Sequence, residues 1–397
     1  MMYVNVAVLK ETEANERRVA MVPSLVAKLS KLGGKIHMQT GAGAAAHLTD
    51  AAFKDVAFIG DRKALVSDAD IVLAVQPPSV DLVHEMNEGS ILVSFVYAHK
   101  NAALVTSLLQ RKITSFAMDM IPRITRAQAM DALSSQSALA GYYAVQLGST
   151  HLGRVLPKIT SAAGAIGPAK VLVMGLGVAG LEAIATAHRL GAVVEGYDVR
   201  PETKEQAESL GATFVDTGVN ATGKGGYARE LTPEEKTKVA AALTKHIQNS
   251  DLVITTAAVP GRASPKLISK AQVAGMKSGA VIVDLSAEGG GNCEDTSPGE
   301  TTQVGPVTIV APLNVPSLLG QDASELYARN VYNLLVLMVK DNVVTIDWKD
   351  EVVSKTALTH AGALVDHAEK KDAPPTVKAH KSKSNATPAK AGPGRSA

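Results

Sequence analysis

The chain has 397 residues, too many for one ordinary core, and is 46% hydrophobic, so a soluble globular protein of two domains is expected. Its net charge of +2 hides a split: residues 370–397 carry +6 and the remainder about −4, and no basic patch with interleaved aromatics speaks for nucleic acid. One cysteine, Cys293, excludes an intramolecular disulfide, and no apolar run nears the roughly 18 residues of a membrane helix.

The opening MMYVNVAVLKETEANERR has no signal-peptide pattern, and a cytosolic protein is expected. Val4–Leu9 predicts a strand. Pro23–Leu32 predicts a helix, with Pro at its start and Leu25, Leu29 and Leu32 on one face; Gly33 and Gly34 end it. Strands follow at Lys35–Thr40, Ile71–Val75, Ile91–Val96 and Ile113–Met118, with a helix at Ala103–Arg111. Such βα alternation predicts a parallel sheet. A second series runs through Val171–Met174 (strand), Val178–Leu190 (helix) and Val193–Tyr197 (strand), then strands at Leu252–Thr255, Ala280–Asp284 and Thr308–Ala311.

Between the two series, Leu133–Leu156 has few breakers and predicts a long helix bridging two domains. Ala323–Lys340 predicts another, able to pack back on the first domain. The expected fold is α/β: two Rossmann-like domains with parallel sheets, joined by long helices. The first spans residues 1–137 plus 321–369 and the second 138–320. The tail, residues 370–397, is Pro/Ala/Lys-rich, expected to be flexible, and reads as a solvated terminus or as a contact to an anionic surface.

AKVLVMGLGVAGLEAIATAHRLGAVVEGYDVR is the most specific stretch. Gly175, Gly177 and Gly180 form G-x-G-x-x-G between a strand and a helix. The first allows a tight turn, the second lets backbone approach a pyrophosphate, and the third permits close helix–strand packing. The helix N-terminus then favours the phosphates. Asp198, 23 residues after Gly175, ends the next strand, where a carboxylate accepts from ribose hydroxyls. It argues for NAD over NADP, while Arg200 offers a partner for a 2′-phosphate. Thr255–Ala258 and Ser286–Asn292 (SAEGGGN) follow later strands; each is a cofactor loop or an ordinary strand-to-helix loop.

Pro122–Ala144, PRITRAQAMDALSSQSALAGYYA, concentrates polar groups ahead of that motif. Three readings are open: a solvated surface loop, an ion-pair knot of Arg123 or Arg126 with Asp131, or a loop that grips a ligand across a domain interface. Its amides and hydroxyls suit a carboxamide.

With these motifs in order over residues 1 to about 370, the chain resembles the NAD(H)-binding component of the proton-translocating nicotinamide nucleotide transhydrogenase family. The polar segment resembles that family's RQD loop, GLGVAGLEAIATAHRLGA its Rossmann turn and GGYARE its mobile loop; SDLVITTAAVPG and VIVDLSAEGGGNC resemble two further segments. The resemblance implies a homodimer, NAD(H) on the second domain, and hydride exchange with NADP(H) on a partner. It implies that Arg123, Gln128, Asp131 and Ser134 contact or position the nicotinamide end. It places Val178, Asp198, Val199, Arg200, Gly226 and Ala258 at cofactor contacts and Tyr227 on the mobile loop. Ala258 stands where a leucine is expected.

Alanine dehydrogenase is similar at VAVLKETEANERRVAMVPS, at Gly41–Gly43 and at the Rossmann turn. Its acid–base Lys and His align with Gln76 and Tyr97 here, and an expected Asp with Glu288; Arg18 stands where a substrate carboxylate is held, or forms a structural salt bridge. His99 lies two residues past Tyr97. Hydride passing between two nicotinamides releases no proton at the reaction centre, so positioning suffices. A third class is a non-catalytic NAD-binding module. The expectation is a peripheral subunit without a metal, held at the inner membrane by NADP-binding and transmembrane partners.

Overall fold

The computed structural model describes residues 3–222, 229–259 and 261–367. Two sheets organise residues 3–365. The first contains β1 (Val4–Val8), β2 (Gly34–Gln39), β3 (Ala57–Ile59), β4 (Ile71–Leu73), β5 (Ile91–Ser94) and β6 (Thr114–Ala117). After a hairpin of β7 (Ile159–Ser161) and β8 (Gly164–Ile166), the second contains β9 (Lys170–Met174), β10 (Val193–Tyr197), β11 (Thr213–Phe214), β12 (Leu252–Thr255), β13 (Val281–Asp284), β14 (Thr301–Val304) and β15 (Val307–Val310). A small hairpin, β16 (Val339–Lys340) and β17 (Val343–Val344), precedes β18 (Ala357–His360) and β19 (Ala363–Leu364), which return to the first sheet.

The strand orders are β19-β18-β6-β5-β4-β1-β2-β3 and β11-β10-β9-β12-β13-β15-β14. Each sheet starts at its centre, adds strands to one side, then crosses to the other. That doubly wound order creates a topological switch point, beside β1 and β4 in one sheet and beside β9 and β12 in the other. The interiors are parallel, as the βα alternation predicts; β14, β18 and β19 pair antiparallel at the edges. The central strands read as unbroken apolar runs because both faces are covered. Val6 and Val8 join one apolar cluster, and Ala7 joins another on the opposite face. The second sheet divides in the same way, with Val171 and Val173 on one side and Leu172 and Met174 on the other.

The predicted bridging helix exists as Ala132–His151, shorter than expected at its C-terminal end. Leu152 turns extended, and Gly153 and Pro157 favour the hairpin that follows in place of more helix. The later helix is Gly320–Leu335, not Ala323–Lys340. Lys340 pairs instead in β16, because Asp341 and Asn342 both adopt left-handed backbone and reverse the chain. Tyr327, Val331 and Leu334 of this helix pack into the first sheet's cluster, and the Tyr327 hydroxyl donates to the Ala74 carbonyl at 2.8 Å.

The helix Ala132–His151 packs on the helix Val178–Arg189 at Gly141. A Cβ there would lie 2.0 Å from the Ala179 carbonyl oxygen. Gly141→Ala is therefore expected to cost about 1–3 kcal/mol by overpacking. Gly153→Ala, whose Cβ meets nothing within 4 Å, should be neutral. Urea denaturation midpoints of the two variants check this.

Candidate nucleotide site and interlobe cleft

At the carboxyl end of β9, Gly175 has φ +99°, and an added Cβ would lie 2.9 Å from the Ala257 nitrogen. At Gly180 it would lie 1.9 Å from the Gly175 oxygen, so helix and turn touch through backbone alone. At Gly177, the N-cap of the helix Val178–Arg189, it would meet nothing within 4 Å. The first and third glycines are thus fixed by protein neighbours, whereas the second faces open space at a helix N-terminus. That arrangement fits a pyrophosphate. Val178 is exposed on the first turn.

Asp198 is buried at the end of β10. Its Oδ2 accepts from the Leu176 N–H at 2.7 Å, and its two oxygens clamp Arg200 at 2.9 Å (Nε) and 2.7 Å (Nη2). Arg200 is thereby turned onto the carboxylate, which raises the guanidinium's already high pKa. Val199 packs partly buried beneath. Ala258 is exposed beyond β12. Gly226 and Tyr227 lie outside the described residues.

The polar segment resolves differently from the ion-pair reading. Arg126 makes a bidentate pair with Asp350, not Asp131. Asp131 instead caps the helix Ala132–His151, its Oδ1 accepting from the Ser134 N–H at 2.9 Å and its Oδ2 from the Ser134 hydroxyl at 2.6 Å. This pair sets where the helix begins, and hence what its first turns present. Arg123 and Gln128 are exposed just ahead of it and do not line the cleft described next.

A cleft of about 250 Å³ opens between the lobes. Arg18, Gln76 and Tyr97 enter it from the first sheet's carboxyl edge, and Leu285, Glu288 and Asn314 from the second's; Gln136 and Ser137 of the long helix form one wall. Arg18 is buried and held on every side. Its Nε and Nη2 donate to Glu16 at 2.8 and 2.6 Å, Nη1 to Gln136 at 2.9 Å, and Nη2 also to Asn314 at 3.1 Å. Glu16 additionally accepts from Gln76 Nε2 at 2.8 Å, Asn314 Nδ2 at 3.0 Å and the Ser317 hydroxyl at 3.1 Å. Burial alone would raise the Glu16 carboxyl; the Arg18 guanidinium outweighs it and holds the pKa at about 2. Nearby Glu11 is lifted by burial to about 7, against N–H donation from Val75 and Gln76. Tyr97 has a left-handed backbone, held by Asp119, and stacks on Phe95 at 5.4 Å between centroids. His99 is exposed on the next turn and does not line the cleft.

Sequence reasoning does not single out Glu16, Asp284 or Gly141. Glu16 stands two residues from Arg18 in a charge-rich stretch, and Asp284 reads only as the end of a strand. Cys293 is buried, and its thiol is pushed up to about 11 by that burial. Among the described residues no cluster of metal-ligating side chains occurs, and no helix is long and apolar enough to cross a membrane.

Two doubly wound lobes facing one cleft, one of them with a pyrophosphate-type glycine turn, define a two-lobed dinucleotide-binding α/β protein. Residues 7–140 match the N-terminal domain of the alanine dehydrogenase/PNT family, and residues 144–367 its C-terminal domain. An NAD(P) transhydrogenase alpha subunit of Rhodospirillum rubrum, the first piece of a divided alpha subunit, is 45% identical over 376 residues, covering 91% of this chain and 98% of that protein. A solved transhydrogenase structure from Sinorhizobium meliloti superposes with a TM-score of 0.80 at 40% identity, covering 92% of this chain and 99% of that one. Alanine dehydrogenase of Mycobacterium tuberculosis is 31% identical over 298 residues, 74% of this chain and 75% of its own. The chain belongs to the alanine dehydrogenase/PNT family, with NAD(P) transhydrogenase alpha subunits as nearer relatives and alanine dehydrogenase as a more distant one.

The Glu16–Arg18 pair yields a pH prediction. Glu16 has its folded pKa depressed from 4.5 to about 2, so its stabilisation is full above pH 4.5 and disappears as pH falls towards about 2. Glu16→Gln leaves Arg18 buried without its counter-charge and should cost about 3–5 kcal/mol at pH 7. The difference from the parent should shrink through that acid window in a pH series of denaturation curves.

Proposed function

We propose that the second lobe binds NAD(H) and that the chain exchanges hydride with NADP(H) held by a partner subunit, which a transmembrane partner couples to proton translocation. NAD(H), when bound, supplies or accepts the hydride at its nicotinamide. Gly175, Gly177, Val178 and Gly180 hold the pyrophosphate, and Asp198, with Val199 and Arg200, holds the adenosine side. Gly226, Tyr227 and Ala258 complete the contacts. Asp131 and Ser134 set the start of the helix that walls the cleft, and Arg123 and Gln128 lie on the adjoining exposed turn, where a partner has access. These four residues orient the reacting ends; none acts as acid or base.

The observation that carries this reading is the chemistry of the cleft. Gln76 and Tyr97 occupy the places where the related amino-acid dehydrogenase aligns its Lys and His, and His99 does not line the cleft. Arg18 is already matched by Glu16. Imine formation and hydrolysis need proton transfer, and hydride exchange between nicotinamides does not. We further read residues 1–137 with 321–369 as one domain and 138–320 as the other. The assembly would be a homodimer, peripheral at the inner membrane and facing the cytoplasm. The basic tail, residues 370–397, lies outside the described residues.

The test mixes the purified chain with a transhydrogenase NADP-binding subunit and follows transfer from NADH to NADP+, with NADH oxidation by pyruvate and ammonium in parallel. Transfer in the first assay alone is expected; activity in the second alone would return the chain to the dehydrogenase reading. Gln128→Ala should slow transfer at least ~10-fold while changing NADH affinity by less than ~2-fold, the pattern of lost positioning. Equal losses in both would remove that role.

A further inference from the structure

We infer that Asp284, Ser286 and Asn292 are positioning residues for the nicotinamide half of the bound nucleotide, an inference that rests on the second lobe being the NAD(H) site. The topology assigns the halves. β10, ending in Asp198, lies on one side of the switch point, and β12 and β13 lie on the other. A dinucleotide across that switch has its adenosine over β10 and its other half over the ends of β12 and β13. The walls there are the segment after Thr255 and the glycine-rich loop after Asp284.

Asp284 is wholly buried, and a buried carboxylate is tolerated only where donors surround it. Here five do. Oδ1 accepts from the Thr255 hydroxyl at 2.9 Å and the Ser286 N–H at 3.0 Å. Oδ2 accepts from the Asn292 N–H at 2.7 Å, the Cys293 N–H at 3.0 Å and the Thr296 hydroxyl at 2.6 Å. The carboxylate therefore folds the loop back onto the strand it leaves. Gly290 and Gly291, at φ +94° and +82°, make that return possible, and a Cβ on Gly291 would lie 2.7 Å from Asp284 Oδ2.

The consequence falls on Asn292. Its Oδ1 accepts from the Ala257 N–H at 3.0 Å, and its Nδ2 donates to the Ala257 carbonyl at 2.8 Å and to the Pro265 carbonyl at 2.8 Å. The Ser286 hydroxyl donates to the same Ala257 carbonyl at 2.9 Å. The side-chain amide thus pairs with Ala257 as a neighbouring strand would, in a loop with no strand beside it. Thr256 closes the circuit by donating to the Gly175 carbonyl at 2.7 Å. Glycine turn, Thr256–Ala258 and glycine-rich loop become one hydrogen-bonded unit. This accounts for the small residue at Ala258: the wall is placed through its backbone, so no large side chain is required.

The experiment compares NADH with ADP, which carries only the adenosine side and pyrophosphate. Affinities are measured by NADH fluorescence and by calorimetry for ADP, well below each variant's melting temperature. Asn292→Ala should weaken NADH about 10-fold, as loss of one or two net hydrogen bonds implies, and ADP less than ~2-fold. Ser286→Ala, a milder change should the first variant fold poorly, should weaken NADH ~3-fold and leave ADP unchanged. Equal weakening of both ligands would show residues that merely hold the lobe together and would overturn the inference, as would no weakening of NADH. A parent protein that binds neither ligand would instead defeat the underlying assignment of the lobe.

Discussion

The structure depends first on one buried ion pair. Arg18 and Glu16 lie where the first sheet's switch point faces the second lobe, and their remaining hydrogen bonds run to Gln76, Gln136, Asn314 and Ser317. Those partners come from a strand end, the long bridging helix and the crossover that returns to the first sheet. Isolated, either charge would be strongly disfavoured in the interior. Paired and fully hydrogen-bonded, they tie three separated segments to a single geometry. An arginine so engaged has little charge left for a substrate carboxylate. The same fold can thus serve an amino-acid dehydrogenase or a nucleotide-presenting protein, according to what surrounds this position.

The nucleotide lobe shows a parallel use of a buried carboxylate. Asp198 accepts from the turn that precedes the glycine helix and holds Arg200 against itself. Asp284 does comparable work on the opposite side of the switch point. In both cases a strand ends in Asp, where loop N–H groups converge without a neighbouring strand to satisfy them. Two acids, one on each side of the glycine turn, therefore shape the loops between which a dinucleotide lies.

Much of the fold is legible because parallel sheets covered on both faces leave long apolar runs, such as Leu252–Thr255, with local signals at their ends. The glycine turn is legible for the same reason: its three glycines, helix and Asp198 lie within one short stretch. The hairpin β7–β8 escapes notice because all its residues are exposed and carry no burial pattern. The edge strands β18 and β19 depend on pairing with β6, more than 200 residues away, which no local pattern reports. At the site, Asp131 reads as one half of an ion pair, but Arg126 finds Asp350 and leaves it to cap a helix. Glu16 and Asp284 are invisible as organisers because their partners are mostly backbone groups and distant side chains.

Gly141 shows why the polar segment and the glycine turn belong to one device. In sequence it is merely a glycine inside a helix, where it costs about 1 kcal/mol relative to alanine. In the fold it lets the bridging helix approach the Ala179 carbonyl, within the first turn of the glycine-motif helix. Asp131 and Ser134 fix the start of one helix, and Gly177 starts the other. With backbone against backbone at the crossing, no flexible side chain lies between them to absorb a shift. A displacement of the polar segment's helix must then move the glycine turn as well, so the distance between a bound nucleotide and the residues that would orient it is set by main-chain packing.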